Sequence, residues 1–244
     1  MKKKISILLV IMVVLGMLAA CGKKDEKVLM MGTNAEFPPY EFYEGEDIVG
    51  IDVDLVKAIA DKLEMEFDIA DMDFNAIIPA VQSGKVTIGA AGMTITEERM
   101  KEVAFTDTYY TGRQVIIVRE DDTEITGPDD LEGKKIGVQL GTTGDIYASD
   151  DYGDDNIERF NKGMEAVQSL IQGKIDVVII DDQPAKTFIE KNEGLKILDT
   201  EYVVEDYAMA LQIGNDELLE EINAAIKELK EDGTLDSIIA QYIN

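Results

Sequence analysis

Apolar residues recur along this chain at two distinct spacings. Leu55, Val56, Ile59, Ala60 and Leu63 fall on one face of a 3.6-residue period, which predicts a helix over 54–63. The short apolar runs 28–31 and 67–70 on either side predict buried strands. A helix over 75–82 is closed by Ser83 and Gly84, and a third strand, 86–91, follows. This β-α-β-α-β order predicts a mainly parallel sheet with helices on both faces.

The series then restarts. Strands are expected at 115–118, 135–138, 157–160 and 176–180, with a turn at Gly127-Pro128-Asp129-Asp130. A short helix over 145–148 and longer ones over 164–172 and 183–191 lie between and after them. Leu218, Leu219, Ile222, Ala225, Ile226 and Leu229 mark a long amphipathic helix. Gly233 stops it, and Thr234 is expected to cap a last helix over 235–242. "AVQSGKVTIGAA" (80–91) and "SLIQGKIDVVII" (169–180) share the order helix, Gly-Lys, buried strand. In two successive αβ series, that echo suggests two lobes of related topology. Parallel sheets bind ligands beyond the carboxyl ends of their strands. The segments after the two echoing strands, "AGMTITEER" and "DDQPA", would then face one cleft.

Charge narrows the possible partners. Asp and Glu number 50 against 23 Lys and Arg, for a formal net charge of −27. Nucleic acid is excluded as a partner, since phosphate binding needs the opposite sign. The acids are spread along the chain, as on a solvated surface.

The amino terminus reads as an address. Lys2, Lys3 and Lys4 precede an apolar run from Ile5 to Met17, and Leu18-Ala19-Ala20 leads to the only cysteine, Cys21. The run is short for a membrane span and suits a signal peptide over 1–20. The pattern resembles a lipobox, with Cys21 the lipidated, palmitate-bearing first residue of the mature chain; an ordinary signal peptide is the alternative. Residues 21–27 form a polar tether. The expected location is the extracytoplasmic face of the cell membrane, held by lipid. A lone cysteine rules out a disulfide within the chain.

Three groups of residues carry candidate chemistry. In "AGMTITEER", Thr96 with Glu97 and Glu98 is a sound helix start, but Arg99 opposes the helix dipole there. It holds either a carboxylate, through two parallel bonds, or one of the surface acids Glu102 and Asp107. Gly92 allows close backbone approach and Thr94 adds a hydroxyl. "IIDDQPA" places Asp181 and Asp182 at a strand end, either as an N-cap or as a carboxylate for an ammonium group. "NAEFPPYEF" (34–42) and "DMDFNAIIPA" (71–80) present Phe37 and Phe74 to pack on a ligand stem, with Phe42 in the core. "GVQLGTTGD" (137–145) is a strand entering a Gly/Thr turn, whose N–H groups attract anions. It lacks the Gly-Lys-Ser/Thr ending of a P-loop. Together, Arg99 on one lobe and an aspartate on the other complement an α-amino acid.

From residue 28 to 242 the chain resembles the polar amino-acid solute-binding proteins of ABC uptake systems (family 3 type, periplasmic binding protein type II fold). "FPPYEF", "GIDVDLVKAIA", "MDFNAIIPAVQSGK", "AAGMTITEER", "FTDTYY", "GVQLGTTGD", "DDQPA" and "LKEDGTLDSII" stand in that family's order. The resemblance implies an α/β fold of two lobes, each a mainly parallel sheet flanked by helices, joined by two crossover strands near 109–113 and 203–207. It implies a discontinuous first lobe, 28–110 with 208–244, and a second lobe, 111–207. By the same resemblance Gly92, Thr94, Arg99, Thr142 and Thr143 would hold the ligand carboxylate. Asp182, with backbone at Ala90, would hold the ammonium, and Phe37 and Phe74 would sandwich the ligand. Asn34, Glu36, Gln139 and Asp181 would set selectivity. Neutral Asn34 and Gln139 lean the expectation toward an uncharged polar amino acid.

The implied activity is capture by lobe closure and delivery to the membrane permease of an ABC transporter, as a monomer, with no cofactor and no metal. A lyase or dehydratase on the same fold is the enzymatic alternative; it lacks any histidine, thiol nucleophile or metal cluster in this sequence. A ligand-sensing component of a signalling receptor is the other.

Overall fold

Val28–Thr33 (β1) runs parallel to Glu66–Asp71 (β5), with Val28 beside Glu66 and Thr33 beside Asp71. On its other side β1 pairs in parallel with the short strand Ile88–Gly89 (β6). Ala210–Leu211 (β13) runs antiparallel to β6 and also to Ala104–Phe105 (β7). The order of this sheet is β5-β1-β6-β13-β7. The computed structural model describes residues 27–243. The expected signal peptide 1–20, Cys21 and most of the tether lie outside the described residues.

The second sheet repeats the plan. Ile157–Phe160 (β10), Ile136–Gln139 (β9) and Val177–Asp181 (β11) are parallel. Tyr110–Arg119 (β8) runs antiparallel to β11 and to Leu195–Tyr207 (β12), giving the order β10-β9-β11-β8-β12. In both sheets one strand, the fourth in order, runs against the other four. The echo read in the sequence falls on equivalent places, since β6 and β11 are third in their sheets.

Helices form where the apolar period is carried, and cover both sheets. Ile51–Lys62 (α1) buries Ile51, Val53, Leu55, Val56, Ile59 and Ala60. It begins three residues before the expected 54, because Gly50 makes the turn from the preceding strand. Gly50 has φ 134°, and a Cβ there would sit 2.2 Å from the Tyr40 carbonyl oxygen. Phe74–Gln82 (α2) and Gly163–Ile171 (α4) precede β6 and β11. Thr143–Tyr152 (α3) is longer than expected and is capped by Thr142, whose hydroxyl accepts the Asp145 N–H. Asp182–Lys191 (α5), Asp216–Glu231 (α6) and Thr234–Tyr242 (α7) complete the set. Gly233, not Thr234, is the N-cap of α7, and no side chain caps it. Thr96 starts only one 3-10 turn, Arg99–Lys101.

The first lobe's main core joins Leu29, Met31, Leu55, Ile59, Ile88, Met209, Ile222 and Ile226, while Ile77, Val81 and Met93 fill the opposite face of its sheet. The second sheet is likewise covered on both faces, by groups around Ile117, Val167 and Phe188 and around Ile116, Val138 and Ile179. Between the lobes, β8 and β12 cross side by side, with Tyr110 opposite Tyr207 and Gly112 opposite Glu205. Glu36–Phe37 (β2), Glu41–Glu44 (β3) and Asp47–Val49 (β4) form a small meander at the cleft edge. Pro38 and Pro39 occupy the turn between β2 and β3.

Candidate functional site

Residues from both lobes line a small pocket between them. Arg99 lies on its wall, only 6% exposed. One guanidinium N–H goes to the Thr94 carbonyl oxygen at 2.7 Å and another crosses the cleft to the Gly141 carbonyl oxygen at 3.0 Å. Both partners are neutral, so the guanidinium keeps its full charge facing the cavity. Burial lowers its pKa to about 10, opposed by the nearby carboxylate of Glu205. The guanidinium carbon stands 5.4 Å from the centre of the Phe74 ring, within cation–π range. Burial disposes of the surface alternative in which Arg99 pairs with Glu102 or Asp107.

The local chain explains this placement. Thr96 Oγ1 accepts the Arg99 N–H at 3.1 Å, fixing the turn. Gly92 has φ 53°, and a Cβ there would come within 3.1 Å of Phe37 Cε1. Only glycine holds that conformation while the aromatic ring lies against its backbone. Phe37 in turn stacks on Tyr40, with centroids 5.7 Å apart.

From the second lobe, Thr142 and Thr143 meet the cavity at the start of α3. Gly141 has φ 78°, which lets the turn present its carbonyl to Arg99. Gln139 donates to Asn34 Oδ1 at 2.9 Å, a second bond across the cleft. At the rim, Lys162 pairs with Glu36 at 2.5 Å, and deeper in, the Tyr40 hydroxyl donates to Asp181 at 3.4 Å. These four contacts join residues of the two lobes directly, so the cleft is closed.

The cavity gathers Asn34, Phe37, Phe74, Gly92, Thr94 and Arg99 of the first lobe with Gln139, Thr142 and Thr143 of the second, all expected from the sequence. Glu36, Ala90, Asp181 and Asp182 do not line it. Ala90 is fully buried beside Ala91, which does. Asp182 is the instructive departure. Its Oδ2 accepts from Arg113 at 3.3 Å, Lys186 at 3.0 Å and Gln183 at 3.0 Å, so two cations already neutralise it. Asp181 is the N-cap of α5, accepting the Gln183 N–H, and its other oxygen is buried with no hydrogen-bond partner among the described residues. Burial, then the charge of Asp182, pushes the Asp181 carboxyl well above the usual range.

Sequence reasoning missed Glu41, Gln114 and Tyr207 on the cavity wall. Glu41 is fully buried and neither carboxyl oxygen has a hydrogen-bond partner among the described residues. Its signal was present, as an acid between the aromatics Tyr40 and Phe42 where alternation calls for an inward side chain. Gln114 and Tyr207 lie on the crossover strands, whose approach to the cleft no local pattern reveals.

Two lobes of shared topology, a crossover pair and an enclosed polar cavity between them define a receptor that closes on a small solute. The chain belongs to the bacterial extracellular solute-binding proteins, family 3, whose model matches residues 29–244. It is therefore a binding protein and not an enzyme. The arginine-binding extracellular protein ArtP of Bacillus subtilis (strain 168) is 36% identical over 97% of this chain and 96% of its own length. The ABC transporter arginine-binding protein 1 of Escherichia coli (strain K12) is 32% identical over 91% of this chain and 93% of its own. An ancestral arginine-binding protein solved with arginine superposes with a TM-score of 0.85, at 42% identity, over 89% of this chain and 98% of that one.

Proposed function

We propose that this protein captures an α-amino acid with a cationic side chain outside the cytoplasm, by lobe closure, and delivers it to an ABC-type permease. One observation carries the reading. A buried guanidinium with only neutral partners, Arg99, shares a closed cavity with a buried carboxyl without partners, Glu41. A guanidinium and an unpartnered carboxyl at one cavity select a ligand that brings a carboxylate for the first and a cationic nitrogen for the second. The ligand carboxylate is assigned to Arg99, Thr94 and the α3 turn at Thr142 and Thr143, where helix N–H groups add to the field. Phe37 and Phe74 hold its stem. The α-ammonium is assigned to the backbone at Ala90–Gly92 and to Asp182, which would exchange Arg113 or Lys186 for it.

The acid on the wall turns this reading from an uncharged ligand toward a cationic one. Glu41 is the acid on the cavity wall, buried with both carboxyl oxygens free of hydrogen bonds among the described residues, and the carboxylate of Glu205 acts on the Arg99 guanidinium from outside it. A buried carboxyl with no protein cation on it favours a ligand that brings a cationic nitrogen of its own, and the arginine-binding relatives support the same choice. Closure then follows from ligand contacts made in both lobes, which only the closed form satisfies together.

The lobes are taken as 28–110 with 208–244 and 111–207, and lipid on Cys21 as the attachment to the membrane. Native mass spectrometry of the purified protein tests the whole reading. A co-purifying arginine or lysine supports it, and a co-purifying ligand without an amino-acid head group contradicts it.

A further inference from the structure

The ligand scheme above leaves Glu41 without an assigned contact, although it lines the cavity. Behind it, in the first turn of α1, lies Asp52, also 0% exposed. Asp52 Oδ2 accepts the Gly92 N–H at 2.8 Å and the Tyr109 hydroxyl at 2.7 Å, while Oδ1 accepts nothing. Among the described residues, both oxygens of Glu41 and Oδ1 of Asp52 are buried without a hydrogen-bond partner, and the two carboxyls are close enough to act on each other.

The groups facing this pair come from several elements. Asp181 at the end of β11 adds a like charge to Glu41, and Tyr109, before β8, supplies the hydroxyl on Asp52. The charged groups that act on Glu41 are thus both acidic, Asp52 and Asp181. The cation on the cavity wall, Arg99, has its N–H groups on Thr94 and Gly141. Two desolvated carboxyls this close, with the charge of a third acid acting on one of them, do not both ionise at neutral pH; such a pair titrates as a unit and retains a proton. Burial is the main cause, raising Asp52 to about 6 and Glu41 well above the usual carboxylate range.

We propose that Glu41 and Asp52 form a proton-holding pair on the cavity wall, and that a positively charged nitrogen of the bound amino acid displaces this proton to solvent. The exchange balances: one positive charge enters beside Glu41, one proton leaves the pair for water, and the ligand keeps its own protons. The deprotonated pair strengthens the Asp52 bond to the Gly92 N–H, so occupancy is felt by the loop that carries Gly92 and Thr94. Affinity for the ligand then rises with pH through the titration of the pair. The inference rests on the amino-acid reading of the site.

Isothermal titration calorimetry of the protein with L-arginine, in buffers of different ionisation enthalpy from pH 5 to 8, counts the protons released. Release of up to one proton per ligand is expected on the acid side, falling toward none at the alkaline end. The logarithm of the association constant should rise by up to one per pH unit where release is greatest. L-citrulline, the neutral isostere of arginine, separates the sources of the nitrogen. Release with arginine alone assigns the side chain; release with both assigns the α-ammonium. Either supports the proposal. Glu41→Gln and Asp52→Asn should each abolish the release, with arginine still bound but more weakly than by the wild type. Binding of arginine by the wild-type protein with no proton release at any pH overturns the proposal and leaves the amino-acid reading intact. Failure to bind any amino acid overturns both.

Discussion

Arg99 reaches across the cleft to the Gly141 carbonyl oxygen at 3.0 Å, tying the first lobe to the turn that opens α3 in the second. The same side chain is the buried cation of the cavity wall, so closure and carboxylate recognition share one residue. Arg99→Ala is expected to weaken amino-acid binding by about 2–5 kcal/mol, because a ligand carboxylate would be enclosed without its partner. Calorimetry on a variant with wild-type circular dichroism checks this; an affinity within a factor of two of wild type contradicts the assignment.

Asp182 offers a test of the ammonium site. Two cations hold it, Arg113 at 3.3 Å and Lys186 at 3.0 Å. If it exchanges one of them for the ligand, Asp182→Asn costs about 1–3 kcal/mol of binding, whereas Lys186→Met removes a competitor and leaves binding unchanged or tighter. Equal affinities for Asp182→Asn and wild type would instead place the ammonium wholly with the Gly92 backbone and Glu41.

Gly92 is constrained twice, by φ 53° and by the Phe37 ring 3.1 Å from where a Cβ would stand. Gly92→Ala is expected to lose about 1–2 kcal/mol of stability from the left-handed conformation alone. It should also weaken binding, because Phe37 must move. Thermal unfolding with and without L-arginine separates the two losses, and a variant with wild-type stability argues against the strain.

Asp52 makes stability depend on pH in an unusual direction. Its carboxyl is raised from 3.8 to about 6 by burial, so the folded state binds more protons than the unfolded state between those values. The contribution is present below about pH 4 and is lost as pH rises through about 6, by about 3 kcal/mol at most. Comparing wild type with Asp52→Asn isolates it from other carboxylates. The unliganded wild-type protein should lose stability relative to the variant from pH 4 to 7. A difference that stays constant, or that shifts in favour of the wild type over that range, contradicts the burial argument.

Much of this molecule was legible in its residues. The helical faces at Leu55, Val56 and Ile59 and at Ile222, Ala225 and Ile226 came from periodicity, since each element buries one stripe against its own sheet. Glycines and threonines at 92, 94 and 142 marked turns at strand ends, where local chemistry already constrains the backbone. What stayed hidden depended on distant partners. Asp182 looked like an open carboxylate because Arg113, 69 positions earlier, meets it only after β8 and β11 pair. Glu41 drew no reading from the sequence because the meander that turns it inward closes against α1, which follows it. Tyr207 and Gln114 reach the cavity only through the crossover pairing of β8 with β12.

Arginine and agmatine differ by the α-carboxylate, the group assigned to Arg99. Calorimetric titration of the protein with each compound is therefore the most direct test of the site. Saturable, one-to-one binding of L-arginine with at least a hundredfold weaker binding of agmatine is expected, a difference of about 2.7 kcal/mol. Equal affinity for the two would show that the buried guanidinium does not hold a ligand carboxylate.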